Sequence, residues 1–280
     1  RGMSYKNAMA GLSAGGGKAV ILANSARTKP QDMLDAFARA VDSLGGKYIT
    51  AQDVGMSEAD MVSLSKVTPH VAGLPDQGGD PGPYTARGVF LGVQAAAKHA
   101  LGTDDMSGVH VAIQGVGSVG GGLARYLADH GAKLTLADVD AQRAADLAVE
   151  LGGNSVAATD IMNVEADIFS PCALGAILTQ ASVSALKVRA VAGGANNQLA
   201  TKHEGRMLAD RGILYAPDYV VNAGGIINVL RNIENADDAE INRRIDAIPE
   251  RLAAIWAESD LGGKTPAEVA DNMAQKLIGR

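Results

Sequence analysis

A short β-branched run, Val109 to Gln114, leads directly into Gly115-Val116-Gly117-Ser118-Val119-Gly120, and this junction constrains the chain more than any other feature. Leu123, Tyr126 and Leu127 follow at helical spacing, Gly131 stops the helix, and Lys133 to Ala137 reads as a second strand closed by Asp138. Strand, glycine turn, helix and second strand form one βαβ unit, which packs stably only inside a parallel sheet. In such a unit Gly115 makes the tight turn, Gly117 lets backbone approach a pyrophosphate, and Gly120 allows close packing of helix on strand. Ser118 and Val119 open the helix, whose free N–H groups face the anion. Asp138 is placed to accept hydrogen bonds from the adenosine ribose and to repel a 2′-phosphate, so the pattern predicts an NAD site rather than an NADP site. The competing reading is a glycine turn capped by Asp138 in a sheet that binds nothing. In a chain with 34 glycines the motif alone does not separate the two, and the surrounding elements favour binding.

Further strands are expected at Ile168 to Ser170, Val188 to Ala192 and Ile213 to Ala216, alternating with alanine-rich helical stretches. Upstream, Pro30 to Leu44 has helical periodicity and Tyr48 to Ala51 reads as a short strand. Residues 71–84 carry Gly73, Pro75, Gly78, Gly79, Pro81, Gly82 and Pro83, and are expected to form an interdomain hinge and cleft loop. A helix over Ala86 to Ala100 leads out of it. One long helix is expected over Ala236 to Ser259 and a final one over Pro266 to Leu277.

With 280 residues and 47% hydrophobic content, the chain can bury two cores. Its net charge of −6 and lack of basic runs predict neither nucleic acid nor an anionic membrane as partner, but a small molecule. No apolar stretch approaches the roughly 18 residues of a membrane span, and a cytoplasmic location is expected. The single cysteine, Cys172, and five scattered histidines give no ligand-like spacing, so no metal is expected.

Gly15-Gly16-Gly17-Lys18 is similar to a phosphate loop but lacks its leading glycine spacing and following serine or threonine. Three glycines before a lysine bring backbone close to a ligand and set one amine in a narrow cleft. Desolvation and a nearby cation such as Lys6 lower a lysine's pKa and fit it for general-base work. Asp53, after a short strand, is a candidate for proton exchange with a substrate amine. Read from the residues alone, all three are equally ordinary surface charges.

The segments Arg1 to Asn7, Gly15 to Ile21, Tyr48 to Gly55, Ser170 to Gly175, Gly193 to Gln198 and Ala216 to Gly225 together resemble the glutamate, leucine, phenylalanine and valine dehydrogenase family, in family order over essentially the whole chain. The resemblance implies an α/β fold of two domains, a Rossmann-type doubly wound parallel sheet and a smaller α/β substrate domain. It places the substrate domain at residues 1–84, joined by a C-terminal helix over 266–280, and the NAD-binding domain at 85–265. It implies oxidative deamination of an amino acid to a 2-oxo acid and ammonia. Lys6 would bind the substrate carboxylate, Lys18 activate water, and Asp53 shuttle protons at nitrogen. Asn222 would touch substrate or nicotinamide, and Thr85, Cys172, Ala173, Asn196 and Asn197 would surround the nicotinamide ribose and carboxamide. Asn196 and Asn197 read equally well as turn formers, and Cys172 as a small residue presenting its backbone. A homo-oligomer is also implied.

Lys18-Ala19-Val20-Ile21 is similar to the leucine and phenylalanine branch, and Ile245, Ile248 and Leu252 offer an apolar stripe for an aliphatic side chain. Their ordinary reading is the buried face of a helix. Leucine or another aliphatic amino acid is the expected substrate, with phenylalanine as runner-up. By the resemblance, family members carry further residues ahead of the Arg1 motif, so either the sequence begins partway through a longer protein or a short form binds NAD without turnover, which is the second expectation. A hydroxy-acid dehydrogenase would want a histidine near the nicotinamide, and none of the five lies in such a motif.

Overall fold

A computed structural model describes residues 1–279 apart from 23–28, 54, 76–77, 230 and 232. Residue 280 and Val54, which fall within predicted segments, and positions 76–77 of the expected hinge lie outside the described residues.

The helices in chain order are α1 (Gly2–Met9), α2 (Gln31–Asp42), α3 (Glu58–Ser65), α4 (Gly82–Leu101), α5 (Ser118–Asp129), α6 (Ala141–Leu151), α7 (Gln180–Ala185), α8 (Lys202–Asp210), α9 (Asp218–Val221), α10 (Gly224–Val229), α11 (Asp238–Asp246), α12 (Ile248–Asp260) and α13 (Pro266–Leu277). The strands are β1 (Thr50–Ala51), β2 (Val71–Ala72), β3 (His110–Gln114), β4 (Lys133–Ala137), β5 (Asn154–Ser155), β6 (Ile168–Pro171), β7 (Ala190–Val191) and β8 (Leu214–Tyr215). β3 to β8 make a parallel six-stranded sheet in the order β5-β4-β3-β6-β7-β8. The order reverses between β3 and β6, which opens a crevice beyond their carboxyl ends.

A sheet covered on both faces must alternate two sets of apolar side chains. Val111, Ile113, Ile168 and Ala190 join one core, shared with α4, α5 and α12, while Ala112, Phe169 and Val191 join the other, shared with α7 and α8. β1 and β2 form a separate two-stranded parallel sheet, and Leu34, Ala38, Met61, Leu64 and Val71 give that region its own core. α1 does not belong to this small core. Tyr5, Met9 and Leu12 are buried in the larger one, the helix lies against α13, and the Tyr5 hydroxyl accepts a hydrogen bond from Gln275 Nε2 at 2.9 Å.

Three expectations are corrected. The long helix over Ala236 to Ser259 is two helices, α11 and α12, broken at Ala247. Pro249 has no N–H to donate and is tolerated only in a first turn, so α12 restarts there. Residues 71–84 are not loop throughout, because Val71–Ala72 pairs with β1 and α4 already begins at Gly82. Ile245, Ile248 and Leu252 are fully buried; Ile248 and Leu252 pack against Gly88 and Gly92 of α4 and do not line a cleft. Strand β5 was not anticipated, since its two residues are polar and exposed.

Phe169 is fully buried at the centre of the sheet. Phe169→Ala is expected to cost about 3–5 kcal/mol of folding stability, read as a lower urea midpoint.

Candidate active site

The turn after β3 is shaped by contacts that admit only hydrogen. Gly115 has φ +87°, and a Cβ on it would meet Ala173 at 2.8 Å. A Cβ on Gly120 would lie 1.8 Å from the Gly115 carbonyl oxygen and 3.0 Å from Cys172 Cβ. Helix α5 therefore seats directly on the ends of β3 and β6. A Cβ on Gly117, by contrast, would face open space, which leaves room at the helix N-terminus for an anionic group. Val119 packs against Gly194 and ties this turn to the loop after β7. Exposed Ser118 donates through its hydroxyl to Asp80 Oδ2 at 3.4 Å.

Asp138, buried at the end of β4, accepts from the Val116 N–H at 2.8 Å and the Asp140 N–H at 3.0 Å, and pairs with Arg143 Nη2 at 2.5 Å. Burial works against its charge, but the two N–H groups and Arg143 outweigh it and hold the carboxyl below its usual range. Arg143 was not anticipated. Its place one turn into the helix after Asp138 was the available signal.

Cys172 accepts a hydrogen bond on Sγ from the Gly194 N–H at 3.4 Å, and burial raises its pKa against the weaker pull of that N–H and Ser170. It is a half-buried thiol at the floor of the crevice, with none of the lowered pKa a nucleophile needs. Thr85 donates its hydroxyl to the Pro81 carbonyl at 2.9 Å and fills the space beside Gly225, where α4 crosses α10.

The candidate catalytic groups meet across the crevice. Lys6 Nζ donates to Asn196 Oδ1 at 3.1 Å, and Asn222 Nδ2 donates to the same oxygen at 2.9 Å and to the Gly194 carbonyl at 3.1 Å. Asn196 thus links the lysine of α1 to the buried amide at the end of α9, while Asn197 stands beside it with φ +52°. The Oδ1 of Asn222 is buried without a partner among the described residues, an acceptor left over in the crevice wall. Lys18 and Asp53 form an ion pair, both partly exposed. The glycines before Lys18 are wedged in: a Cβ on Gly16 would strike the Ser4 backbone at 2.3 Å, one on Gly17 the Tyr48 ring at 2.7 Å, and Asn7 Nδ2 holds the Gly15 carbonyl at 2.5 Å.

Burial lowers the Lys6 pKa to about 8; Lys18 pushes it the same way, while Asp218 and Asp53 oppose. These mutual effects bring Lys6, Lys18 and Asp53 within reach of one another's charge. Asp218 went unassigned in the sequence. It is buried, binds the Gln198 N–H at 3.1 Å and the Tyr219 N–H at 2.8 Å, and so fixes the loop that presents Asn196.

The family model for the Glu/Leu/Phe/Val dehydrogenase dimerisation domain matches residues 1–70, and the model for glutamate/leucine/phenylalanine/valine dehydrogenase matches residues 141–259. Leucine dehydrogenase of Geobacillus stearothermophilus is 42% identical over 281 residues, spanning 99% of this chain and 77% of that protein. The chain belongs to the glutamate/leucine/phenylalanine/valine dehydrogenase family. L-tryptophan dehydrogenase of Nostoc punctiforme is equally similar, 42% identical over 99% of this chain and 79% of its own. Its crystal structure superposes with a TM-score of 0.83 over 99% of this chain and 80% of that one. Phenylalanine dehydrogenase of Bacillus thermotolerans is 38% identical over 99% of this chain and 75% of its own. As a family member the chain is a pyridine-nucleotide-dependent amino-acid dehydrogenase that carries out oxidative deamination. Among the described residues no helix is long and apolar enough to cross a membrane.

A carboxylate held by Lys6 needs its charged form. Lys6 loses its proton as pH rises through about 8, so affinity for a 2-oxo acid is expected to fall above that pH, approaching about tenfold per pH unit. Titrating a 2-oxo acid into the reduced-cofactor complex between pH 6.5 and 9.5 checks this; a flat profile removes Lys6 as the carboxylate ligand.

Proposed function

We propose that the protein oxidises leucine or another aliphatic L-amino acid with NAD, reversibly, in the cytoplasm and as a homo-oligomer. The observation that carries this reading is that Lys6 meets Asn196 and Asn222 beside the glycine turn, with the Lys18–Asp53 pair near enough to act on the charge of Lys6. Residues 1–84, with the helix at 266–280, serve the substrate, and 85–265 serve the cofactor.

The residues around the turn fit a dinucleotide: the closeness that only Gly115 and Gly120 permit, the open space at Gly117, and a buried carboxylate at the end of β4. Ser118, Val119, Cys172, Ala173 and Thr85 complete the cofactor wall. When bound, NAD supplies the acceptor for the substrate's Cα hydride. Lys6 holds the substrate carboxylate and so orients Cα. Asp53 takes and returns the proton on substrate nitrogen, and its charge steadies the iminium formed as hydride leaves. Lys18, once it gives up its proton, draws one from the water that attacks the iminium carbon. The carbinolamine then collapses to 2-oxo acid and ammonia as Asp53 protonates the departing nitrogen and the hydroxyl proton passes to solvent. Asn222 offers its unpartnered Oδ1 to an N–H donor of the bound reactants.

The likeness to leucine dehydrogenases supports an aliphatic substrate. An aromatic amino acid is the second reading, favoured by the equal likeness to a tryptophan dehydrogenase. NADH formation from leucine, valine, phenylalanine, tryptophan and glutamate, each offered separately, decides between them; fastest turnover on glutamate would overturn both. Lys18→Ala and Asp53→Asn are each expected to lower kcat at least about a hundredfold while NADH still binds.

Asp138 and Arg143 act in opposite senses on the cofactor. Removing the carboxylate removes a charge that repels a 2′-phosphate, and removing the guanidinium exposes it. Asp138→Ala is expected to shift the kcat/KM ratio of NAD over NADP downward and Arg143→Ala upward. Equal ratios in the two variants would remove the pair from cofactor selection.

A further inference from the structure

The end of α10 and the residues between it and α11 reach both chains that connect the small two-stranded region to the large sheet. On one side Asn228 Nδ2 donates to the Gly78 carbonyl at 3.2 Å, and the Arg231 guanidinium lies over the Tyr84 ring at the start of α4 while pairing with Asp238 at 2.9 Å. On the other side Glu234 Oε1 accepts both the Ser13 N–H and the Ser13 hydroxyl, each at 2.7 Å. The remaining oxygen of Glu234 is paired with Arg244 of α11, and Arg244 Nε donates at 2.6 Å to Glu240. The side chains of Glu234 and Arg244 are only 11% and 19% exposed, so this carboxylate is held by charge-assisted bonds with little competition from water.

Ser13 begins the segment that delivers Lys18. The next residues are Ala14 and three glycines, which have little side chain with which to hold a backbone and lose much conformational freedom when ordered. The described hydrogen bonds that fix this segment are few: Ser13 to Glu234, Asn7 to the Gly15 carbonyl, and the Lys18–Asp53 pair itself. Asn7 and Asp53 belong to the stretches around α1 and β1. Glu234 alone of these anchors lies on the far side, in the stretch that also carries the Gly224–Val229 helix against α4.

We propose that Glu234 is a positioning residue of the reaction: through Ser13 it sets the lysine loop on helix α11 and thereby fixes the Lys18 amine relative to the cofactor crevice. It does not touch substrate or cofactor. The inference rests on Lys18 being the general base. A shift of about 1 Å in a group that must meet a reacting atom costs up to about a hundredfold in rate, so a loosened loop lowers turnover without emptying the cofactor site.

The test compares the parent protein with Glu234→Ala, Glu234→Gln, Ser13→Ala and the Ser13→Ala/Glu234→Ala double variant. For each, kcat at saturating amino acid and NAD is measured per NADH-binding site, together with the NADH dissociation constant and the thermal midpoint. The expected result is a fall in kcat of about tenfold or more for Glu234→Ala, with NADH affinity within about twofold. Glu234→Gln keeps an acceptor for Ser13 and is expected to regain most of the rate. The double variant is expected to be no slower than Glu234→Ala, because both changes break one contact. Unchanged kcat per site in Glu234→Ala, whatever its thermal midpoint, overturns the proposal, as do additive losses in the double variant. If Glu234→Ala does not fold, Glu234→Met, which keeps the bulk but accepts neither Ser13 bond, decides: parent kcat overturns the proposal, and a several-fold loss at unchanged NADH affinity supports it. Lys18→Ala separates the two readings, since turnover that survives it refutes the general-base assignment independently of Glu234.

Discussion

Everything at the crevice depends on how closely α5 can approach the end of β3. The Gly115 carbonyl lies where a Cβ of residue 120 would be, so helix and strand touch through backbone. That contact brings the first turn of α5 over the ends of β3 and β6, lets Val119 reach Gly194, and leaves Cys172 and Ala173 as the floor. Any side chain at residue 120 would push the helix off the strand and separate the glycine turn from the loop that carries Asn196. The sheet order places both beside the reversal point between β3 and β6.

The second constraint is electrostatic. Lys6, half-buried, is joined to Asn196, and buried Asp218, at the start of α9, braces the loop that carries Asn196 and acts on the charge of Lys6. Burial draws both toward neutrality, while each favours the other's charge. A cleft that must accept an anionic carboxylate and expel ammonia benefits from such balance, since neither an excess of cation nor of anion is built in.

Much of the large sheet was legible because β3, β4 and β6 are apolar and bounded by turn residues; β4 matches its predicted span, and so does α13. What escaped had no hydrophobic period to reveal it. β5 is two exposed polar residues, α1 opens with glycine, and α7 and α8 are short and better marked by their Thr179 and Thr201 capping boxes than by any apolar stripe. At the site, the motif residues were legible as segments, but their partners were not. Arg143 is paired with Asp138, Asp218 braces the Asn196 loop, and Glu234 grips Ser13 across the fold. Such pairings depend on side-chain meetings between distant parts of the chain, which spacing in one sequence does not encode. Ile248 shows the reverse error, an apolar residue whose helix face turned out to serve packing against Gly88 rather than a ligand.

The seat of Lys6 has a consequence for how the protein comes into being. Helix α1 lies against α13, which follows it far along the chain, with Tyr5 bonded to Gln275 and in edge contact with Tyr219. On a ribosome, where synthesis runs at about 5–20 residues per second, the seat of the lysine therefore waits for α13 to emerge. The cofactor turn, built from residues 110–138, has all its strands far earlier. Assembly thus runs from the glycine-turn side toward the Lys6 side, and a nascent chain has the β3–β4 turn well before Lys6 can be seated.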